Sequence, residues 1–104
     1  AHLYNDTHPA ILQLLDMTVS AANKADIPVA ICGGMAGDIK LTRLLIAMGF
    51  RELSMPSALL PEIKQEILNS NIGQLEPIAK KILRTYDPRL VQELLHGMQQ
   101  QQFI

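Results

Sequence analysis

Cys32 is the residue with the clearest chemical potential, and it is the single cysteine of this chain. It ends the apolar run Pro28 to Ile31 and is followed at once by the glycine-rich stretch Gly33 to Asp38. A thiol is mostly protonated at neutral pH and can donate a proton, whereas a nearby helix N-terminus favours its nucleophilic thiolate form. One cysteine cannot form an intramolecular disulfide. Cys32 is therefore either a small buried apolar residue or a proton donor or nucleophile.

The glycines Gly33, Gly34 and Gly37 form a second candidate feature, because backbone amides in such a turn can hold an anion. Their spacing matches neither the dinucleotide-binding fingerprint nor the Walker pattern. Taken alone, the stretch is better explained as a tight connection between a strand and a helix, with Asp38 as the helix cap.

Other reactive side chains have simpler interpretations. His2, His8 and His96 lack the spacing of zinc ligands, and His8 beside Pro9 suits the entry to a helix. Ser54 and Ser57 follow a second predicted strand, where phosphate-binding loops often lie in barrels, but a turn is the better interpretation. We expect the arginines to be solvated, and the methionines to fill the core. These residues are Arg43, Arg51, Arg84 and Arg89, and Met35, Met48 and Met55.

Two short strands with a helix between them position these residues. A helix begins at Pro9 and ends near Lys24 to Asp26, because apolar residues recur at three- and four-residue spacing. The run Pro28 to Cys32 suits a strand that is buried on both faces, as in parallel sheets. A helix capped by Asp38 should stop at Gly49, and Phe50 to Met55 should form a strand parallel to the first.

Three more helices follow the second strand. The first starts at Pro61 and should turn Ile63, Ile67 and Leu68 inward. The next runs from Ser70-Asn71 to about Thr85, and the last begins at Asp87-Pro88. The glutamines at 99–102 either fray or continue that last helix.

A two-stranded parallel sheet leaves two unpaired edges, and it is not a stable arrangement by itself. We therefore predict a segment of a larger α/β protein, at the end of a barrel or of a doubly wound sheet. In both folds ligands bind beyond the carboxyl ends of the strands, where Cys32 lies.

Composition excludes several classes of protein. The chain has 104 residues, of which 48% are hydrophobic and 18% charged, with a formal net charge of -1. Such a chain can bury a core, and it lacks the basic patch that nucleic acid requires. Its apolar runs are far shorter than the ~20 residues that span a bilayer, and no signal segment precedes them. We expect a cytoplasmic protein without membrane insertion or nucleic-acid binding.

Several motifs together resemble the C-terminal end of the phosphoenolpyruvate-protein phosphotransferase family, enzyme I of the bacterial sugar phosphotransferase system. The most specific is CGGMAGD at Cys32 to Asp38. The resemblance covers essentially the whole chain. The other matching segments are HPAIL at His8 to Leu12, the strand from Gly49 to Met55 with LSM at its end, PEIK at Pro61 to Lys64 and NSNI at Asn69 to Ile72.

The resemblance implies a (β/α)8 TIM-type barrel, of which residues 1–104 are the last two β/α units and the C-terminal helices, without forming a complete domain. It implies that Cys32 protonates the enolate of pyruvate after phosphoenolpyruvate has passed its phosphate to a histidine. That phosphate then moves to a small histidine-containing phosphocarrier protein, in sugar transport. Gly33 and Gly34 are candidate substrate-binding residues. The family uses Mg²⁺, whose ligands have no counterpart in this chain, and forms homo-oligomers such as dimers.

One departure from the family pattern stands beside Cys32. Gly34 occupies a position where the family usually has glutamate, so a carboxylate is missing there, and a nitrogen-regulatory paralogue remains an alternative to the sugar-uptake enzyme. The phosphorylated histidine, the metal ligands and the phosphate-binding arginines also have no counterpart here, so we expect no turnover by this chain alone. Two other functions stay open: a non-catalytic self-association module, and the end of a related dikinase or lyase barrel.

Overall fold

The computed structural model describes residues 6–103, in which five α-helices pack with a small parallel sheet. In chain order the elements are α1 (Pro9–Ala25), β1 (Ala30–Ile31), α2 (Ile39–Met48), β2 (Glu52–Leu53), a 3₁₀ turn (Ser57–Leu59), α3 (Leu60–Leu68), α4 (Ile72–Arg84) and α5 (Pro88–Gln100). The predicted number, type and order of the helices and strands are confirmed for this part of the chain. The glutamines continue α5 as far as Gln100.

Local capping signals explain why the helices begin and end where they do. A side chain before each of four helices accepts a hydrogen bond from a free amide of the first turn. His8 accepts from Ala10 at 3.1 Å, Asp38 from Lys40 at 3.0 Å, Asn71 from Gln74 at 3.1 Å and Asp87 from Arg89 at 3.0 Å. Helix α2 ends at Gly49, whose φ of 118° is left-handed. The predicted helix entries at His8, Asp38 and Asp87 and the stop at Gly49 are confirmed.

The two strands pair in parallel, as predicted. Ala30 is the partner of Glu52 and Ile31 of Leu53, and the amide of Ser54 donates to the carbonyl of Ile31 at 2.8 Å. The regular part of each strand is only two residues long, because within the described residues each strand has a neighbour on one side only.

The prediction that the first strand is buried on both faces is wrong for this chain. Ile31 is buried in the core, whereas Ala30 and Cys32 are exposed. Side chains alternate between the faces of a strand, so one face meets the helices and the other is open. A strand buried on both faces needs a second layer, and the described residues provide only one.

Helix α2 is the centre of the helical layer. It packs against α3, α4 and α5, and α4 also packs against α1 and α5. The core joins apolar residues from all of these elements except α3: Leu12 and Val19 of α1, Leu41, Leu44 and Leu45 of α2, Leu75, Ala79 and Ile82 of α4, and Val91, Leu95 and Met98 of α5, with Ile31, Met35, Ala36 and Phe50 from the strands and turns. The predicted burial of Met35 is confirmed, while Met48 and Met55 are half-buried.

Arg43 was expected to be solvated, and this prediction is wrong. Its side chain is buried, with 4% of the residue exposed. One terminal nitrogen, Nη1, donates to the carbonyl oxygens of Met98 at 2.9 Å and Gln101 at 2.7 Å. The other, Nη2, donates to the carbonyl of Asn69 at 3.1 Å. Asn69 ends α3 and Gln101 ends α5, so one guanidinium binds the carboxyl ends of two helices.

Two further groups complete the surroundings of Arg43. Its Nε lies 3.6 Å from the carboxylate of Glu66, which is an ion pair without a hydrogen bond. The ring of Phe103 lies over the guanidinium, 5.1 Å from carbon to ring centre. Helix carboxyl ends carry partial negative charge, and an aromatic face attracts a cation. Together these groups offset the cost of removing the charge from water.

Ile67 and Leu68 of α3 were expected to point inward, and they do not. Ile63 alone of α3 is buried, whereas Ile67 is 39% and Leu68 69% exposed. Both lie beside an apolar groove of about 830 Å³ between the end of α2, β2 and α3. The groove is lined by Ile46, Phe50, Arg51, Leu53, Met55, Leu60, Pro61, Ile63, Lys64, Ile67, Leu68 and Ile72. Ile67 and Leu68 are apolar, as a core position requires, but no described element covers them.

No helix in residues 6–103 combines the length and the apolar character needed to cross a membrane.

Replacing Arg43 should destabilise the fold strongly. Arg43→Met keeps much of the apolar volume but leaves three carbonyl oxygens and the Glu66 carboxylate without their cation, so we expect a loss of about 3 kcal/mol in the free energy of unfolding. Urea denaturation monitored by circular dichroism measures this loss. Arg84→Met, at an exposed position of α4, is the matched control and should change it by less than about 0.5 kcal/mol. Equal effects of the two substitutions would contradict the assigned role of Arg43.

Candidate active site

Cys32 directly follows β1, and its thiol is free and exposed. Within the described residues Cys32 is therefore not part of the buried core. This location agrees with the expectation that the thiol stands at the carboxyl end of a strand, where α/β proteins bind their ligands. An exposed thiol in this position can reach a small molecule.

The turn after Cys32 is fixed by the core at its far end. Gly33 and Gly34 are exposed, but Met35 and Ala36 are buried. The amide of Asp38 donates to the carbonyl of Met35 at 3.3 Å, and α2 starts immediately afterwards. The two glycines are therefore the only exposed residues between the thiol and a segment that is anchored in the core.

The two glycines differ in what they require. Gly33 has a φ of +76°, in the left-handed region that side chains other than glycine disfavour. Gly34 has no positive φ, and a Cβ at either position would meet no atom within 4 Å among the described residues. Backbone conformation thus demands glycine at position 33, whereas nothing in the described structure demands it at position 34. The role of either residue in substrate binding stays a prediction.

The open face of the sheet presents Cys32 together with residues from β2. The last register pair is Ile31 and Leu53, joined by the hydrogen bond from the Ser54 amide to the Ile31 carbonyl, and Cys32 and Ser54 are the next residues on the two strands. Cys32 and Ser54 are both exposed, on the face opposite to Ile31 and Leu53. Strand alternation together with the predicted parallel pairing is enough to identify Ser54 as a candidate site residue. The sequence analysis instead favours a turn at this position.

The nearest arginines in sequence are engaged elsewhere. Arg51 is exposed, as predicted, and its Nη1 donates to the carbonyls of Ile46 at 2.7 Å and Phe50 at 2.8 Å, near the carboxyl end of α2. Arg43 binds the ends of α3 and α5. Both guanidinium groups therefore serve helix ends, away from the start of α2 that the Cys32 turn leads into.

Metal ligands do not assemble in the part of the chain that the structure describes. Among residues 6–103, no three His, Cys, Asp or Glu side chains come together in a group able to hold a metal ion. His8 caps α1, and His2 lies outside the described residues. The residues present thus do not fit the Mg²⁺ that the resemblance implies.

Comparison with known proteins gives a consistent result. The family model described as the PEP-binding domain of PEP-utilising enzymes matches residues 1–72. The chain is 51% identical over 88 residues to a phosphoenolpyruvate-protein phosphotransferase of Cupriavidus necator. The matched segment covers 85% of this chain and 15% of that protein. It is 38% identical over 87 residues to the protein of that name in Haloferax volcanii, with 84% and 15% covered.

A third relative has a different name. The multiphosphoryl transfer protein of Rhodobacter capsulatus is 40% identical over 76 residues, which amount to 73% of this chain and 9% of that protein. The chain spans only about a seventh of the length of the phosphotransferases that it matches.

The different backbone conformations of Gly33 and Gly34 predict different costs of an alanine substitution in the free energy of unfolding. Gly33→Ala should lower the free energy of unfolding by about 1 to 2 kcal/mol, because alanine is strained at a φ of +76°. Gly34→Ala is the matched control, and it should be neutral or slightly stabilising because it restricts the unfolded chain without a clash. Thermal and urea denaturation of the two variants test this, and a cost at position 34 as large as that at position 33 would disprove it.

Proposed function

Since the chain belongs to the PEP-utilising enzymes, we propose that it is the C-terminal part of a phosphotransferase that takes phosphate from phosphoenolpyruvate, with Cys32 as the proton donor that forms pyruvate. The observation that carries this proposal is the exposed thiol at the carboxyl end of β1, inside the segment that matches the family. The names of the relatives favour a phosphotransferase over a dikinase or lyase.

The chemistry needs one proton donor after phosphate transfer. When the phosphorus–oxygen bond of phosphoenolpyruvate breaks, the phosphoryl group passes to a histidine nitrogen and the enolate of pyruvate remains. The enolate gains a proton on its terminal carbon from the thiol S–H, which gives pyruvate and a thiolate, and the thiolate then takes a proton from water. A positioned acid accelerates such a step by about 10² to 10⁴-fold.

The residues of this chain hold that donor in place. Pairing of β1 with β2 sets the direction of the strand that ends at Cys32, and the left-handed Gly33 turns the chain sharply afterwards. The buried Met35 and Ala36 then anchor the turn. We propose Gly33 and Gly34 as substrate-binding residues that approach the ligand through their backbone, since neither carries a side chain that would keep it away.

The surfaces beside the sheet support a larger fold. We propose that β1 and β2 are the last two strands of a (β/α)8 barrel and that the apolar groove packs against another β/α unit of the same protein. The open sheet face, the short strands and the exposed Ile67 and Leu68 support this assignment. Without such neighbours the apolar groove favours self-association, which is the alternative function.

The remaining parts of the activity belong to the complete protein. We propose phosphoenolpyruvate and pyruvate as its small-molecule partners and a histidine-containing phosphocarrier as its protein partner, in sugar uptake or in the nitrogen-regulatory variant. We also propose a cytoplasmic homo-oligomer that uses Mg²⁺ held outside this chain. The described residues do not form a site for that metal.

Cys32→Ala in the complete protein should reduce pyruvate formation by about 10² to 10⁴-fold, because the acid is lost. The stereochemistry of protonation gives a second readout. With phosphoenolpyruvate that carries deuterium and tritium on its terminal carbon, a positioned thiol delivers the proton to one face, whereas protonation by water in the variant should favour neither face. Ser20→Ala, at an exposed position of α1, is the control for unaltered activity and stereochemistry. Full activity of Cys32→Ala with retained stereochemistry would refute the proposed donor.

The groove predicts a difference between the isolated chain and the complete protein. Ile67→Glu should have little effect on the stability of the 104-residue chain, where Ile67 is partly exposed, but should cost about 2 kcal/mol or more in the complete protein, where the groove is covered. Gln65→Glu, also an exposed position of α3, controls for the added charge. Denaturation midpoints of each variant, measured in the 104-residue chain and in the complete protein, test this difference. An equally small effect of Ile67→Glu in both would show that no further unit covers the groove.

A further inference from the structure

We propose that Ser54 is a substrate-binding residue of the same site, and that its hydroxyl contacts the anionic end of the three-carbon ligand that Cys32 protonates. This inference rests on the proposed function and adds a second side chain to it. It follows from three observations: the register of the two strands, the burial pattern along them and the distribution of charge on the open face.

The register places the two side chains next to each other. Neighbouring strands lie about 4.8 Å apart, and register partners project from the same face. The hydrogen bond from the Ser54 amide to the Ile31 carbonyl, 2.8 Å long, belongs to the last register pair, Ile31 and Leu53, and Cys32 and Ser54 are the residues that directly follow that pair. Cys32 and Ser54 are therefore adjacent at the carboxyl end of the sheet, one from each strand.

Burial supports the same arrangement. Along β1 and β2 the buried or half-buried residues are Ile31 and Leu53, while Ala30, Cys32, Glu52 and Ser54 are exposed. Moreover, the Ser54 hydroxyl makes no hydrogen bond within the described residues, whereas that of Ser70 donates to the carbonyl of Glu66 in α3 at 2.6 Å. The Ser54 hydroxyl is thus available to a ligand.

Charge decides on which side of the thiol the ligand lies. Glu52 stands opposite Ala30 on this face, one residue pair before Cys32 and Ser54. An anionic ligand is repelled by that carboxylate and is favoured beyond the strand ends, towards Ser54 and the turn amides of Gly33 and Gly34. A three-carbon acid is long enough to place its terminal carbon at the thiol of Cys32 while an oxygen at its other end accepts a hydrogen bond from Ser54.

Enzyme kinetics and protection of Cys32 test this inference in the complete protein. A hydrogen bond to a charged group accounts for a 10- to 100-fold effect, so Ser54→Ala should lower kcat/KM for phosphoenolpyruvate by about that factor. Ser54→Thr keeps the hydroxyl and should restore most of the activity, and Ser20→Ala is the unaffected control. Pyruvate should protect Cys32 from iodoacetamide, and Ser54→Ala should require about tenfold more pyruvate for half-protection.

The rate of alkylation without pyruvate separates ligand binding from a merely structural effect. If Ser54 acts on the ligand, Ser54→Ala leaves this rate unchanged. A changed rate in the absence of pyruvate, or normal kinetics and protection in Ser54→Ala while Cys32→Ala is inactive, would overturn the inference and leave the proposed function standing. If Cys32→Ala is fully active and pyruvate does not protect the wild-type thiol, the inference about Ser54 and the proposed function of Cys32 are both refuted.

Discussion

A single buried guanidinium connects three of the helices, α2, α3 and α5. Arg43 of α2 binds the carboxyl end of α3 through Asn69 and that of α5 through Met98 and Gln101. Helix ends leave carbonyl oxygens without partners, and a planar group with five donors can satisfy several of them at once. The charge is costly to bury, and it is retained because the surrounding carbonyls, Glu66 and Phe103 compensate for the lost water. This contact and the core packing of Leu41, Leu44 and Leu45 together position α2, into which the Cys32 turn leads.

The second constraint is the unequal covering of the sheet. Helices bury Ile31 and contact Leu53, while the residues that alternate with them face outward. Because of this asymmetry, the exposed row holds the groups with chemical potential, Cys32 and Ser54, and the buried row holds the packing residues. The same sheet thus carries its packing residues on one face and its candidate functional residues on the other. The apolar groove beside α3 borders the helix-covered face, since Leu53 of β2 lines it.

Local signals in the sequence were reliable because they depend on a few adjacent residues. Asp38 and Asp87 cap helices by binding amides two residues later, and Gly49 ends α2 because it accepts a left-handed backbone. Such contacts need no knowledge of the rest of the fold. The parallel pairing of the two strands was predicted correctly, but two predictions that depended on distant partners failed. The carbonyls that bind Arg43 lie 26 to 58 residues away in the sequence, and the outward position of Ile67 depends on which elements reach α3.

Sequence alone was sufficient for the order of the elements, the family and the candidate proton donor Cys32, because these depend on periodicity, capping and a continuous motif. Tertiary structure decided whether Cys32 is exposed, since burial depends on what packs over a strand and not on the strand itself. It also brought Ser54 beside the thiol, because register is a relation between two segments that are separated by a helix. The burial of Arg43 was decided in the same way, by acceptors that only the folded chain gathers around one charge.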